Sequence, residues 1–152
     1  SKPGDFDTPK LLPMKHYPFK GYRFIMWCGR MIYRAENKEN IDRYMQTYAG
    51  KESLTHETIH LRQAQVTGSW VKYYWRYFVE WIKGNPICYP ASSAYYTIKY
   101  EMEAYANENN PNYPANYTGN NLSRYKIKGG RKKLYKSVGG TSKAWKTYIR
   151  TL

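Results

Sequence analysis

The stretch Ser53-Leu54-Thr55-His56-Glu57-Thr58-Ile59-His60-Leu61-Arg62-Gln63-Ala64-Gln65-Val66-Thr67-Gly68 decides how the chain folds around its chemistry. It opens on a residue that caps helices well, contains no proline and closes on the glycine that often ends a helix, so a helix over 53–67 is predicted. Leu54, Ile59, Leu61 and Val66 are expected to supply its apolar contacts. At about 100° per residue His56 and His60 stand one turn apart on one face, where both imidazoles reach a single tetrahedral cation. Glu57 stands beside them, close enough to touch a water on that cation without binding the cation itself.

A catalytic zinc ion needs a third protein ligand and an open fourth position. The extended motif that takes a third histidine from the same stretch requires Gly at position 63 and His at position 66, and the chain has Gln63 and Val66. His16, the remaining histidine, lies in a proline-rich lead-in. A carboxylate from a later helix is the better source. Ser92 or Ser93 can cap a helix running to about Glu108, with Ala94, Ile98, Met102 and Tyr105 or Ala106 on its apolar side. Within it, Tyr100-Glu101-Met102-Glu103-Ala104-Tyr105-Ala106-Asn107-Glu108 places two acids about 200° apart, so only one of Glu101 and Glu103 can face the histidines. The other is expected in solvent or bonded behind the site.

The combination of His56-Glu57-x-x-His60-x-x-Gln63 with a downstream E-x-E-A-Y helix resembles the zincin-like metallopeptidases of the gluzincin type. It is similar in particular to short bacterial H-E-x-x-H proteins that carry a Y/F-E-x-E-A-Y-A-N-E segment. The resemblance covers residues 20–113. It implies an α+β, zincin-like fold, mainly helical with a short N-terminal sheet or hairpin, a bound Zn2+, and peptide-bond hydrolysis with Glu57 as the catalytic base. It also implies a peptide or protein substrate. Alignment to an E-x-x-A-D helix selects Glu101 as third ligand, with Tyr105 where the supporting Asp would stand. Alignment to E-A-x-x-D selects Glu103, with Asn107 in that place. Gln63, on the face of His60, is a candidate contact for substrate, although a solvated glutamine is the plainer reading.

Around this core the chain is read as one domain of 152 residues. Residues 1–20, with Pro3, Pro9, Pro13 and Pro18, form an extended lead-in that packs only locally. Tyr22 to Arg34 reads as a tight hairpin or one strand bulged at Gly29. Residues 35–50 read as a connector with a helical turn near Ile41 to Tyr48. Trp70 to Lys83 reads as a mostly buried helix with one polar stripe, Lys72, Arg76, Glu80 and Lys83, rather than a helix lying in a membrane interface. Cys28 and Cys88 are expected as small core thiols, or as one bridge if the chain is exported.

The net charge is +14, and residues 109–152 contain no acid and ten Lys or Arg. That basic C-terminal extension, 114–152, read here as helical only from Lys143 to Leu152, points to an anionic partner through residues 124–150. Two alternatives to the peptidase reading therefore stand: a metal-binding domain without proteolysis, and a nucleic-acid-binding protein in which Tyr125, Tyr135, Trp145 and Tyr148 stack bases among the cations. No apolar run is long enough to span a bilayer. The expectation is a soluble chain, either cytoplasmic or exported and processed.

Overall fold

The computed structural model describes residues 1–87 and 92–152. Cys88 and Pro90 lie outside the described residues. The chain is α+β and mostly helical, with three short strands near the N-terminus: β1 (Lys10–Met14), β2 (Ile25–Trp27) and β3 (Arg30–Arg34). Cys28 and Gly29, both at positive φ, make the two-residue turn between β2 and β3, and Ile25 pairs antiparallel with Ile32. Of the two readings of this segment the hairpin is therefore the one adopted, as a turn with two left-handed residues requires. Cys28 is half-buried in that turn and is not a core thiol.

The lead-in does more than pack locally. β1 joins the far side of β3 in parallel register, Lys10 opposite Arg30, so the sheet order is β1-β3-β2. As an edge strand β1 tolerates Pro13. Arg62 donates to the Asp7 carbonyl, and Gln65 donates to the carbonyls of Pro3 and Phe6 at 3.0 and 2.7 Å. These long-range bonds to side chains of the central helix are invisible to local periodicity.

Helix α1 spans Lys38–Gln46 and α2 spans Tyr48–Thr67. α2 starts five residues before Ser53 because Thr47 is the cap, its hydroxyl accepting from the Gly50 amide at 3.1 Å. Ser53 instead bonds the Tyr44 hydroxyl. Gly50 is required by the close approach of α1: a Cβ there would lie 2.0 Å from the Tyr44 carbonyl oxygen. Gly68 ends α2 in the left-handed conformation. Ile59 and Leu61 are buried as expected, whereas Val66 is exposed.

Helix α3 (Trp70–Lys83) departs from its reading. Tyr73 and Glu80 are buried, and the apolar residues Val71, Trp75, Phe78 and Ile82 face outward. The reversal comes from residues far along the chain. Arg131 forks onto the Glu80 carboxylate at 3.1 and 3.2 Å and also donates to the carbonyls of Glu80 and Thr97. Glu80 accepts in turn from the Lys99 amide at 3.2 Å. This cluster also explains why the single helix expected over 92–108 is two, α4 (Ser92–Tyr96) and α5 (Lys99–Asn107): side chains from α3 and from position 131 satisfy the backbone groups at the break.

The basic segment contributes α6 (Arg131–Ser137), α7 (Ser142–Ile149) and a 3-10 turn over 120–125. It is part of the core. Trp145 and Ile149 are fully buried, and with Tyr125 and Tyr135 they pack against Met102 of α5. Trp145 also donates to the Tyr96 carbonyl at 2.8 Å. Three of the four aromatics expected to stack bases are thus enclosed by protein.

The Glu80–Arg131 pair predicts a specific acid response. Burial raises the Glu80 carboxyl pKa, but the Arg131 guanidinium and the Lys99 amide outweigh it and hold the value below the ordinary range. A carboxylate depressed in the folded state stabilises above its unfolded pKa, and that contribution is lost as pH falls through the folded value. Glu80→Gln should therefore lower stability by about 3–5 kcal/mol at pH 7, with Arg131 left buried and uncompensated. Urea midpoints of parent and variant should converge as pH drops below about 4.

Candidate metal centre

α2 crosses α5, and the crossing places the His56–His60 face of α2 against Glu101. Nε2 of His56 and Nε2 of His60 are 3.2 Å apart, and Oε1 of Glu101 lies 3.1 and 3.0 Å from them. A tetrahedral zinc with bonds of about 2.0–2.1 Å separates its ligand atoms by roughly 3.3–3.4 Å, so this triangle of two nitrogens and one oxygen fits the ion with a small expansion. Nδ1 of His56 faces Glu108 Oε1 at 3.2 Å, and Nδ1 of His60 faces Gln63 Oε1 at 2.9 Å. A carboxylate or amide oxygen only accepts, so each Nδ1 carries a proton toward its partner, which leaves each Nε2 as the ring atom that would bind a cation in place of its own proton.

Glu57 is adjacent and farther out, its Oε1 3.8 Å from His56 Nε2. The ligand atoms of His56, Glu57 and His60 all lie within 4.8 Å of one another. Among the described residues these three form a group that could hold a metal ion, and Glu101 makes the closer contact with both imidazoles.

The electrostatics suit a cation. Burial lowers the His56 pKa, but its hydrogen bonds to Glu101 and Glu108 outweigh this and hold it up to about 10. His60 is likewise raised despite burial, mainly by Glu101. Burial raises Glu101, but the two histidines outweigh it and hold its carboxyl well below the ordinary range. Burial is also the main cause of a raised Glu57. Buried carboxylates that draw protons onto the imidazoles provide the same attraction to a divalent ion.

Each of the other nominated residues has a defined place. Glu103 is fully buried away from the histidines and accepts from Gln63 Nε2 at 2.8 Å, Tyr113 at 2.9 Å and Tyr117 at 2.5 Å. Gln63 is not solvated: it is buried between His60, Glu103 and the Tyr73 hydroxyl, and so links the centre to Glu103. The Tyr105 ring packs on His56 at 4.4 Å between centroids. Asn107 donates to the Glu103 carbonyl and to Tyr125, and contributes to packing rather than to a histidine.

Sequence reasoning left the partner of His56 unnamed, and it is Glu108. The residue lies seven positions, about two turns, beyond Glu101, which returns it to the same face of the segment. That spacing is a signal the alignment to an Asp at four residues obscured. A carboxylate that orients a ligating histidine typically contributes 10–100-fold in metal affinity. Were zinc held by these histidines, Glu108→Ala would weaken its binding by about that factor, measured by competition with a chromogenic chelator.

Beside the histidines a cavity of about 320 Å3 is lined by Glu57, His60 and Glu101, by Met26 and Trp27 of β2, and by Trp70, Tyr73, Tyr74, Tyr77 and Tyr95. Tyr77 donates to Glu101 Oε2 at 2.6 Å. Trp70 carries a buried indole N–H with no partner among the described residues. No family model matches the chain, and no curated protein or solved structure matches it.

Proposed function

We propose that the protein is a zincin-like metallopeptidase that hydrolyses peptide bonds with a zinc ion held by His56, His60 and Glu101. The observation that carries this reading is the triangle of three ligand atoms 3.0–3.2 Å apart, with Glu57 beside it at the wall of an aromatic cavity. When bound, zinc supplies a Lewis acid that polarises a carbonyl and lowers the pKa of water at its open position. Glu57 then takes the proton of the attacking water and returns it to the leaving amine. Its raised pKa, with burial as the main cause, makes it a stronger base than an exposed glutamate.

The same residues suggest how a peptide is held. β2 is an edge of the sheet, and Met26 and Trp27 reach the cavity, so an extended substrate can add alongside this strand. The unpartnered Trp70 N–H is the kind of donor a bound carbonyl satisfies. The developing oxyanion needs a hydroxyl that is not already spent. Among the cavity tyrosines, Tyr73 donates to Gln63 and Tyr77 to Glu101. Tyr95 is hydrogen-bonded to Tyr105, whereas Tyr74 accepts from the Cys28 amide and keeps its own hydrogen, which makes Tyr74 the available donor.

The test is metal content and hydrolysis together. Protein purified without chelator should hold close to one zinc per chain by elemental analysis and cleave unfolded casein. Chelation should stop cleavage and added zinc should restore it. Failure to take up zinc when it is supplied would end the reading, and a full complement of zinc without cleavage of any peptide in a broad library would favour metal binding without proteolysis. The nucleic-acid reading loses its stacking platform with Tyr125, Tyr135 and Trp145 buried.

A further inference from the structure

α3 presents an apolar stripe that is exposed among the described residues. Val71, Trp75, Phe78 and Ile82 recur at spacings of four, three and four, which keeps them within about 60° of arc. Val71 is 81% exposed and Trp75 65%, and Phe78 and Ile82 are close to half exposed. Just beyond the helix, Ile87 is 93% exposed. Trp75 and Phe78 pack ring to ring with centroids 6.0 Å apart, which makes the stripe a continuous apolar surface. Isolated exposed apolar residues need no explanation, but a contiguous aromatic stripe does.

The charges around it are of one sign. Lys72, Arg76 and Lys83, all exposed, run along one flank about 100–140° around the helix from Val71. Glu80, the acid of this helix, is buried onto Arg131 and lies 3.8 Å from the exposed Lys83 ammonium. Lys83 at the end of the helix joins a groove lined by α6, where Lys133 and Lys136 are exposed, and a second groove that contains Lys99 and Lys126. An apolar helical face with aromatic rings, a cationic border and a neighbouring basic patch is the arrangement of a helix that lies in the plane of a lipid surface. Among the described residues no helix is long and apolar enough to cross a membrane.

We propose that α3 docks the protein on an anionic lipid surface, with Val71, Trp75, Phe78 and Ile82 entering the boundary between headgroups and acyl chains and the lysines of α3 and α6 meeting the headgroup phosphates. The net charge of +14 supplies the long-range attraction, and the aromatic stripe supplies the anchorage once the surface is reached. This docking is independent of whether the metal centre is catalytic.

The experiment is vesicle flotation of the full chain with phosphatidylcholine vesicles and with vesicles containing 30% phosphatidylglycerol, about one lipid in three. The protein should float with the anionic vesicles at least ~10-fold more than with the neutral ones, with a blue shift in tryptophan emission. Trp75→Ser with Phe78→Ser should abolish the blue shift and reduce flotation ~10-fold, with an unchanged urea midpoint showing that the fold is intact. Lys133→Glu with Lys136→Glu, which leaves the stripe untouched, should reduce flotation at low salt and have less effect at high salt. Absence of flotation with anionic vesicles would overturn the proposal. So would flotation insensitive to the aromatic pair, or a dimer in size-exclusion chromatography that the aromatic pair disperses, since a second copy would then be the occupant of the stripe.

Discussion

Glu57→Gln should abolish peptide cleavage, by about 10^2–10^4-fold in kcat, while bound zinc stays near one equivalent. The amide keeps the shape of the side chain but cannot accept the water proton. Glu57 stands 3.8 Å from His56 Nε2, outside the triangle that Glu101 completes, so metal content should be unaffected. Elemental analysis and a peptide assay on the same preparation read both halves of the expectation. Loss of zinc in this variant would place Glu57 among the ligands and move the base elsewhere. An unchanged rate would remove it from the chemistry.

Glu101→Gln and Glu103→Gln should part in opposite ways. Glu101 accepts from both histidines, so its loss removes one of the three proposed ligands and should cost more than the ~10–100-fold typical of an outer partner. Glu103 touches neither histidine. It is fully buried under three donors, Gln63, Tyr113 and Tyr117, and an amide there turns an NH2 toward groups that need an acceptor. A buried group left unsatisfied costs about 1–3 kcal/mol, more when the lost partner is charged. Glu103→Gln should therefore lower the urea midpoint and keep its zinc at saturating metal, whereas Glu101→Gln should lose zinc. Reversal of the two metal contents would exchange their roles.

His56, Glu57, His60 and the two acids of α5 were legible in the sequence because they depend on helical spacing, a local property that the backbone enforces wherever a helix forms. The choice between Glu101 and Glu103 was not, since both lie on the same helix and only the angle at which α5 crosses α2 brings one of them to the imidazoles. Glu108 was overlooked for a related reason. Its part is set by the ring orientation of His56, and no spacing rule for the supporting acid pointed two turns beyond Glu101.

The sequence by itself determined the helix of the H-E-x-x-H motif, its end at Gly68, the apolar side of α4 and α5, and the excess of positive charge. Each of these follows from short-range backbone preference or from counting. Tertiary structure alone decided which side of α3 is buried, where the helix after Ser92 breaks, that β1 completes the sheet, and that the basic segment buries Trp145 in the core. Those outcomes depend on partners far apart in the chain: Glu80 with Arg131, Arg62 with Asp7, Trp145 with Tyr96. A helix that is apolar on more than one side has no inside until such a partner selects it. In α3 the buried face carries Glu80 on Arg131 and Tyr73 packed with Ala64, Ile98 and Tyr100, and Trp75 and Phe78 lie on the opposite, exposed side.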